Sequence, residues 1–197
     1  MKFIIATNNA KKLKELERIL KPLDIDAVSA REAGVSLDEV EETGTTFAEN
    51  AFIKANAAFK ATGMPAIADD SGLSVDALDG RPGVYSARYC GKNATDEDRY
   101  NKLLEEMENV SDEKRTAHFT SAICCILSAD EKIEVSGVCS GTISHSPNGS
   151  GGFGYDPIFD YDGKSFAELS ADEKDKISHR GIALRKLQAE LKNKFDK

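Results

Sequence analysis

The chain has 197 residues, 40% of them hydrophobic and 30% charged, which is long enough to bury a core without staples and too ordinary for a disordered or repetitive protein. No stretch approaches the roughly 20 apolar residues of a membrane span, and a formal net charge of −8 argues against broad binding to DNA or RNA, which needs a Lys/Arg-rich surface. Four cysteines without CxxC spacing (Cys90, Cys124, Cys125 and Cys139) point away from zinc and disulfide frameworks and toward buried thiols in a reducing cytosol.

Phe3 to Ala6 reads as a short buried strand that stops at the polar turn Thr7-Asn8-Asn9. A helix follows, with Leu13, Leu16, Ile19 and Leu20 at helical spacing and Pro22 as its terminator,. A strand, polar turn and helix open an α/β sheet and place the backbone N–H groups near Asn8 to Ala10 at a helix N-terminus, where a phosphate is welcome. Thr46 and Glu49 form a capping box for a second helix carrying Phe52, Ala55 and Phe59 on one face, ended by Gly63 and Pro65,. Ala66-Ile67-Ala68 predicts a strand that delivers Asp69 and Asp70 at its end, after which Leu73, Val75 and Ala77 alternate as a further strand,. Thr95 and Asp98 cap a helix running to about Met107. Phe119 to Leu127 and Ile133 to Val138 predict a hairpin turning at Asp130-Glu131,. Ser170 and Glu173 cap a C-terminal helical region with Leu184, Leu187 and Leu191 facing the core. No linker divides residues 1–197, which read as a single domain.

Carboxylates at strand ends of an α/β sheet sit where ligands bind, so Asp69 and Asp70 are candidates for a metal site; the competing reading has one capping a turn and the other solvated. Glu41 and Glu42, just before Gly44, read by themselves as a solvated acidic run. Lys11 and Lys12 oppose the helix dipole in a first turn, and a bound phosphate would supply a reason for them. The glycines of the segment Ser150 to Pro157 surround Phe153 and leave its ring open to a stacked purine, unless the ring tucks into the core. Lys176, His179 and Arg180 share a face if the helix is continuous, and do not if Ser178 caps a fresh one.

Taken together these segments resemble the inosine/xanthosine triphosphate pyrophosphatase family, the non-canonical purine NTP pyrophosphatases, over nearly the whole chain. The motifs are Ala6 to Lys12 with Glu15, Glu41-Glu42-Thr43-Gly44 with Thr46-Phe47 and Glu49-Asn50-Ala51, Ala68 to Leu73, and the pair SGGFGYDPIF (150–159) and SHRGIAL (178–184). The resemblance implies an α/β fold, an elongated mixed β-sheet with flanking helices and two lobes around a central nucleotide-binding cleft, assembled as a cytoplasmic homodimer. It implies Mg²⁺-dependent hydrolysis of ITP, dITP and XTP to the monophosphate and pyrophosphate. Thr7, Asn8, Asn9, Ala10, Lys11 and Lys12 would hold the triphosphate, Glu41 and Asp70 would face the metal, and Asp70 would act on the attacking water. Ser71 would touch substrate, Phe153 would stack on the base with Gly154 and Tyr155 beside it, Asp156 and Lys176 would contact the nucleoside end, and His179 with Arg180 would read the 6-oxo group. The small-molecule triphosphate is the expected partner, with neither nucleic acid nor membrane. A pyrophosphatase for other modified nucleotides and a nucleotide sensor without turnover are the rival readings.

Overall fold

The computed structural model describes residues 2–21, 25–37, 40–91 and 93–195. Pro22 and the side chain of Ile19 lie outside the described residues. The elements in chain order are β1 (Lys2–Ile5), α1 (Ala10–Leu20), β2 (Asp26–Ser29), α2 (Phe47–Thr62), β3 (Ala66–Val75), α3 (Asp96–Glu106), β4 (Thr116–Ser128), β5 (Glu131–Ile143), β6 (Phe159–Tyr161), β7 (Lys164–Ser165), α4 (Ala171–Ile177) and α5 (His179–Phe195). The seven strands form one mixed sheet in the order β2-β1-β3-β4-β5-β6-β7. β1 runs parallel to β2 and β3, whereas β6 is antiparallel to β5 and β7. The expected α/β class, with a mixed sheet and flanking helices, is what the chain adopts.

The chain divides into two compact units. The first comprises Met1–Asp70, Ser121–Gly137 and His179–Lys197. Period-two alternation builds it: along β1, Phe3 and Ile5 join a core with Leu16, Leu20, Leu184 and Leu187 from α1 and α5, while Ile4 and Ala6 join one with Ala51, Ala55 and Ala58 from α2,. Helices therefore cover both faces. Gly137 permits close contact on the α5 side, since a Cβ there would lie 2.2 Å from the His179 carbonyl oxygen and 2.6 Å from the Ala183 nitrogen.

The second unit comprises Ser71–Thr120 and Val138–Ser178. Its core centres on Phe119, Phe159 and Phe166, with ring centroids 4.7 Å and 4.8 Å apart for the pairs that include Phe159,. Buried Arg115 ties its loops together by donating to the carbonyls of Ile143 (2.7 Å), Met107 (2.8 Å) and Ser144 (2.9 Å).

The three helix starts carry the expected capping boxes, Thr46 with Glu49, Thr95 with Asp98 and Ser170 with Glu173. Several expectations need correction. Asp69 and Asp70 do not end a strand: β3 continues through them to Val75, and Ala77 falls in a 3-10 turn, Asp76–Leu78, not in a strand. The buried stripe of α2 is Ala51, Ala55 and Ala58, small residues that bring the helix close to the sheet, so Phe52 turns outward under the Lys132 ammonium,. Cys90 is exposed because it follows the 3-10 helix Gly83–Arg88 and is not on a strand, whereas Cys124, Cys125 and Cys139 are buried.

Candidate active site

Asp69 and Asp70 are adjacent in sequence but point to opposite faces of β3, as strand geometry requires. β1 pairs with β3 only as far as Ile5 opposite Ile67, so both carboxylates lie just past the carboxyl end of that parallel neighbour, where open α/β sheets present ligand sites. Asp69, in phase with Ile67, faces α1 and α5. Asp70, in phase with Ala66 and Ala68, faces α2. The two therefore cannot serve one site as a pair.

Asp69 is buried and paired. Lys12 reaches it at 2.9 Å, Arg180 at 3.3 Å through two nitrogens, and the Ser121 hydroxyl donates to its other oxygen. Arg180 also bonds Glu15. Burial alone would push the Asp69 carboxyl up, but Arg180 and Lys12 outweigh it and hold the group far below the ordinary carboxylate range,. This gives Lys12 a reason for its place in a first turn that needs no phosphate. Lys11 is exposed.

Asp70 has a different environment. Its Oδ1 accepts from Lys54 at 3.0 Å, and the same ammonium reaches Glu42 Oε1 at 2.7 Å. Burial raises the Asp70 pKa above the usual carboxylate value, although Lys54 pulls the other way. Burial likewise opposes the charge on Lys54, but Asp70 and Glu42 raise its pKa overall. Of the acidic pair, the structure brings Glu42 to this cluster and leaves Glu41 exposed. Lys54 had no sequence signal beyond its spacing, one turn after Asn50 on α2.

A hard divalent cation fits this donor set, because two carboxylates already converge on one positive charge. Among the described residues no three His, Cys, Asp or Glu side chains converge as metal ligands. Two carboxylates are a donor set that a divalent cation completes with substrate phosphates and waters.

In the polar turn, Asn9 caps α1, its Oδ1 accepting the N–H groups of Lys11 (2.9 Å) and Lys12 (3.2 Å), while its own N–H donates to Thr7 Oγ1 at 3.1 Å. Asn8 and Ala10 are exposed at the same helix start, and Ser71 is half-buried on β3. α4 ends at Ser178, which is extended (ψ 153), and α5 begins at His179. Lys176 is therefore not on one helix with His179 and Arg180; it is exposed, while the other two are buried.

In the second unit, Asp156 organises the glycine-rich segment. Its Oδ2 accepts the Phe153 N–H at 2.7 Å and the Lys174 ammonium at 2.6 Å, and that ammonium stands 4.9 Å from the centre of the half-buried Phe153 ring. Gly152 has φ +71, and a Cβ there would fall 2.0 Å from Asp156 Oδ2, so only glycine fits,. Gly154 follows with φ +64, and buried Tyr155 donates its hydroxyl to the Ser86 carbonyl at 2.9 Å. The lysine that the structure brings to Asp156 is Lys174, not the Lys176 named from sequence. The available signal was helix phase, because Lys174 shares a face with the core-packed Ile177,.

The contrast is testable. Lys174→Met, which strips a partner from a buried carboxylate, is expected to cost about 3–5 kcal/mol of stability and to depress kcat/KM. Lys176→Met should stay within about 0.5 kcal/mol of wild type. Urea denaturation and initial rates on both variants check this, and equal effects would contradict it.

A separate concavity of about 490 Å³, lined by Phe52, Phe59, Lys60 and Lys132 among others, contains none of these groups.

The chain is similar to known proteins along nearly its full length. The dITP/XTP pyrophosphatase of Shigella flexneri is 48% identical over 98% of both chains, and the enzyme of that name from Bacillus subtilis (strain 168) is 50% identical over 93% of both. The solved structure of a HAM1 protein from Coxiella burnetii superposes with a TM-score of 0.89 at 44% identity, covering 98% of this chain and 99% of that one. The model of the Ham1 family matches residues 3–190. With that span and those identities, the chain belongs to the Ham1 family.

Proposed function

We propose that this chain is a nucleoside triphosphate pyrophosphatase that hydrolyses ITP, dITP and XTP to the monophosphate and pyrophosphate, removing them from the nucleotide pool. The observation that carries this reading is Asp70, a buried carboxyl with a raised pKa that shares one ammonium with Glu42.

Asp70 orients a water against the α-phosphorus and takes its proton. A carboxyl held within hydrogen-bond reach of that water acts as a general base. A bond forms between the water oxygen and the α-phosphorus, the bond from that phosphorus to the α–β bridging oxygen breaks, and pyrophosphate departs. Asp70 and the Glu41–Glu42 segment would hold Mg²⁺, which when bound would neutralise the phosphate charge. Thr7 to Lys12 and Lys54 hold the triphosphate, and Ser71 touches the substrate beside Asp70.

Phe153 stacks on the base, flanked by Gly154 and Tyr155, and Asp156 contacts the nucleoside end with Lys174 taking the place first given to Lys176. Donors from His179 and Arg180 pair with a 6-oxo group, whereas the 6-amino group of adenine leaves them unmatched, a mismatch that can cost orders of magnitude. Family likeness supports a cytosolic homodimer. The net charge of −8 supports a small nucleotide, and not nucleic acid, as partner.

Turnover of ITP in ¹⁸O-water tests the bond cleaved. The label is expected in the monophosphate; label in pyrophosphate would place the attack on the β-phosphorus and remove Asp70 from the role given to it.

A further inference from the structure

Asn50 lies in the first turns of α2 and is fully buried, next to Ala51 and Ala55. Its Oδ1 accepts the Gly44 N–H at 2.8 Å, while its Nδ2 meets no hydrogen-bond partner among the described residues. A buried amide donor left unmet costs stability, and an apolar side chain of similar shape avoids that cost. What asparagine supplies at this position is the acceptor for the Gly44 N–H.

The same segment is gripped from a second point. The Glu49 carboxylate accepts the N–H groups of Thr45 (2.7 Å) and Thr46 (3.1 Å) and the Thr45 hydroxyl (3.0 Å). Gly44 allows the approach, because a Cβ there would stand 2.7 Å from Asn50 Oδ1 and 2.6 Å from Glu49 Cβ. Residues 44–46 are thus pinned to the start of α2. One turn further along that helix, Lys54 carries both Glu42 and Asp70.

We infer that Asn50 is a positioning residue for divalent-cation binding: through the Gly44 N–H it fixes the Glu41–Gly44 backbone so that a carboxylate of that segment meets Asp70 across one cation. This rests on the metal-side reading of Asp70 and the Glu41–Glu42 segment given above. Asn50 touches neither substrate nor reacting atoms in this role. Its removal should therefore weaken the cation and leave nucleotide recognition alone.

The test measures Mn²⁺ binding by electron paramagnetic resonance on protein saturated with a non-hydrolysable α,β-methylene analogue of ITP, with thermal melting in parallel. Asn50→Leu is expected to weaken Mn²⁺ about tenfold or more while remaining folded and binding the analogue normally. Asn50→Asp, which keeps the acceptor for Gly44, should retain Mn²⁺ affinity within about threefold. If Asn50→Leu does not fold, Gly44→Ala presses on the same contact from the loop side and is expected to weaken Mn²⁺ similarly. A folded Asn50→Leu or Gly44→Ala protein with wild-type Mn²⁺ affinity overturns the inference while leaving the pyrophosphatase reading intact. Wild-type protein that binds the analogue but no Mn²⁺ overturns the metal-side reading, and the inference with it.

Discussion

Asp69→Asn is expected to remove about 3–5 kcal/mol of folding stability at neutral pH, a large share of the total for a domain, because it takes the shared carboxylate away from two buried cations. Lys12 and Arg180 would remain in place around a neutral amide, with Ser121 its hydrogen-bond neighbour. The melting temperature should fall by on the order of 10 °C for a chain of this size. The pH dependence has a definite sign. Arg180 and Lys12 overcome burial to depress the folded-state pKa of Asp69, so its contribution is fully present above the unfolded value and is lost as pH falls through the folded one. The gap between wild type and variant should therefore stay constant through neutral and mildly acidic pH and narrow only below the ordinary carboxylate range. A gap under about 1 kcal/mol at pH 7, the size of a surface pair, would show that the cluster does not hold the first unit together.

Asp70→Asn separates activity from stability in the opposite way. Turnover should fall by about 10²–10⁴-fold, the usual contribution of a positioned general base. Burial raises the Asp70 pKa in the folded state, so ionising it at neutral pH costs stability, and that cost grows as pH rises through the shifted pKa. The amide lacks that cost, and the variant should melt at or above the wild-type temperature near neutrality. Circular dichroism melts beside steady-state rates make the comparison. Full activity in the folded variant would remove Asp70 from the chemistry.

These opposite outcomes for neighbouring residues show what the sequence could carry and what it could not. Local signals were readable because their physics is local: each capping box joins residues three apart, and Gly63 ends α2 in the left-handed conformation that glycine favours,. The hairpin of β4 and β5 was readable for the same reason. The acidic pair was misplaced at a strand end because a carboxylate inside a strand is tolerable only with distant partners. Arg180, 111 residues away from Asp69, is such a partner, and no local pattern reveals it. Phe52 was placed on one face with Ala55 and Phe59, whereas close packing of α2 on the sheet selected Ala51, Ala55 and Ala58.

The candidate site was legible as segments and less so as individual residues. The turn at Thr7 to Ala10, Asp70, and the Phe153 to Asp156 segment enter the candidate site through motif resemblance. Lys54, Glu42 and Lys174 were not chosen, because which side chain of a charged run turns inward depends on helix phase and on a buried carboxylate elsewhere. The break at Ser178 had the same character: the residue suits both a continuing helix and a new cap, and packing of α5 against Gly137 belongs to the tertiary fold.

Substrate selectivity is the most direct test of the function proposed. Purified protein would be incubated with Mg²⁺ and, separately, ITP, XTP, GTP, ATP and dTTP, with nucleotide and phosphate products resolved by ion exchange. The expected result is monophosphate and pyrophosphate from ITP and XTP, with ATP and dTTP left largely intact, while GTP, which shares the 6-oxo group, reports whether the 2-amino group is read as well. Equal hydrolysis of all five would contradict recognition of the base through His179 and Arg180, and binding without any hydrolysis would make the protein a nucleotide sensor and contradict the enzyme itself.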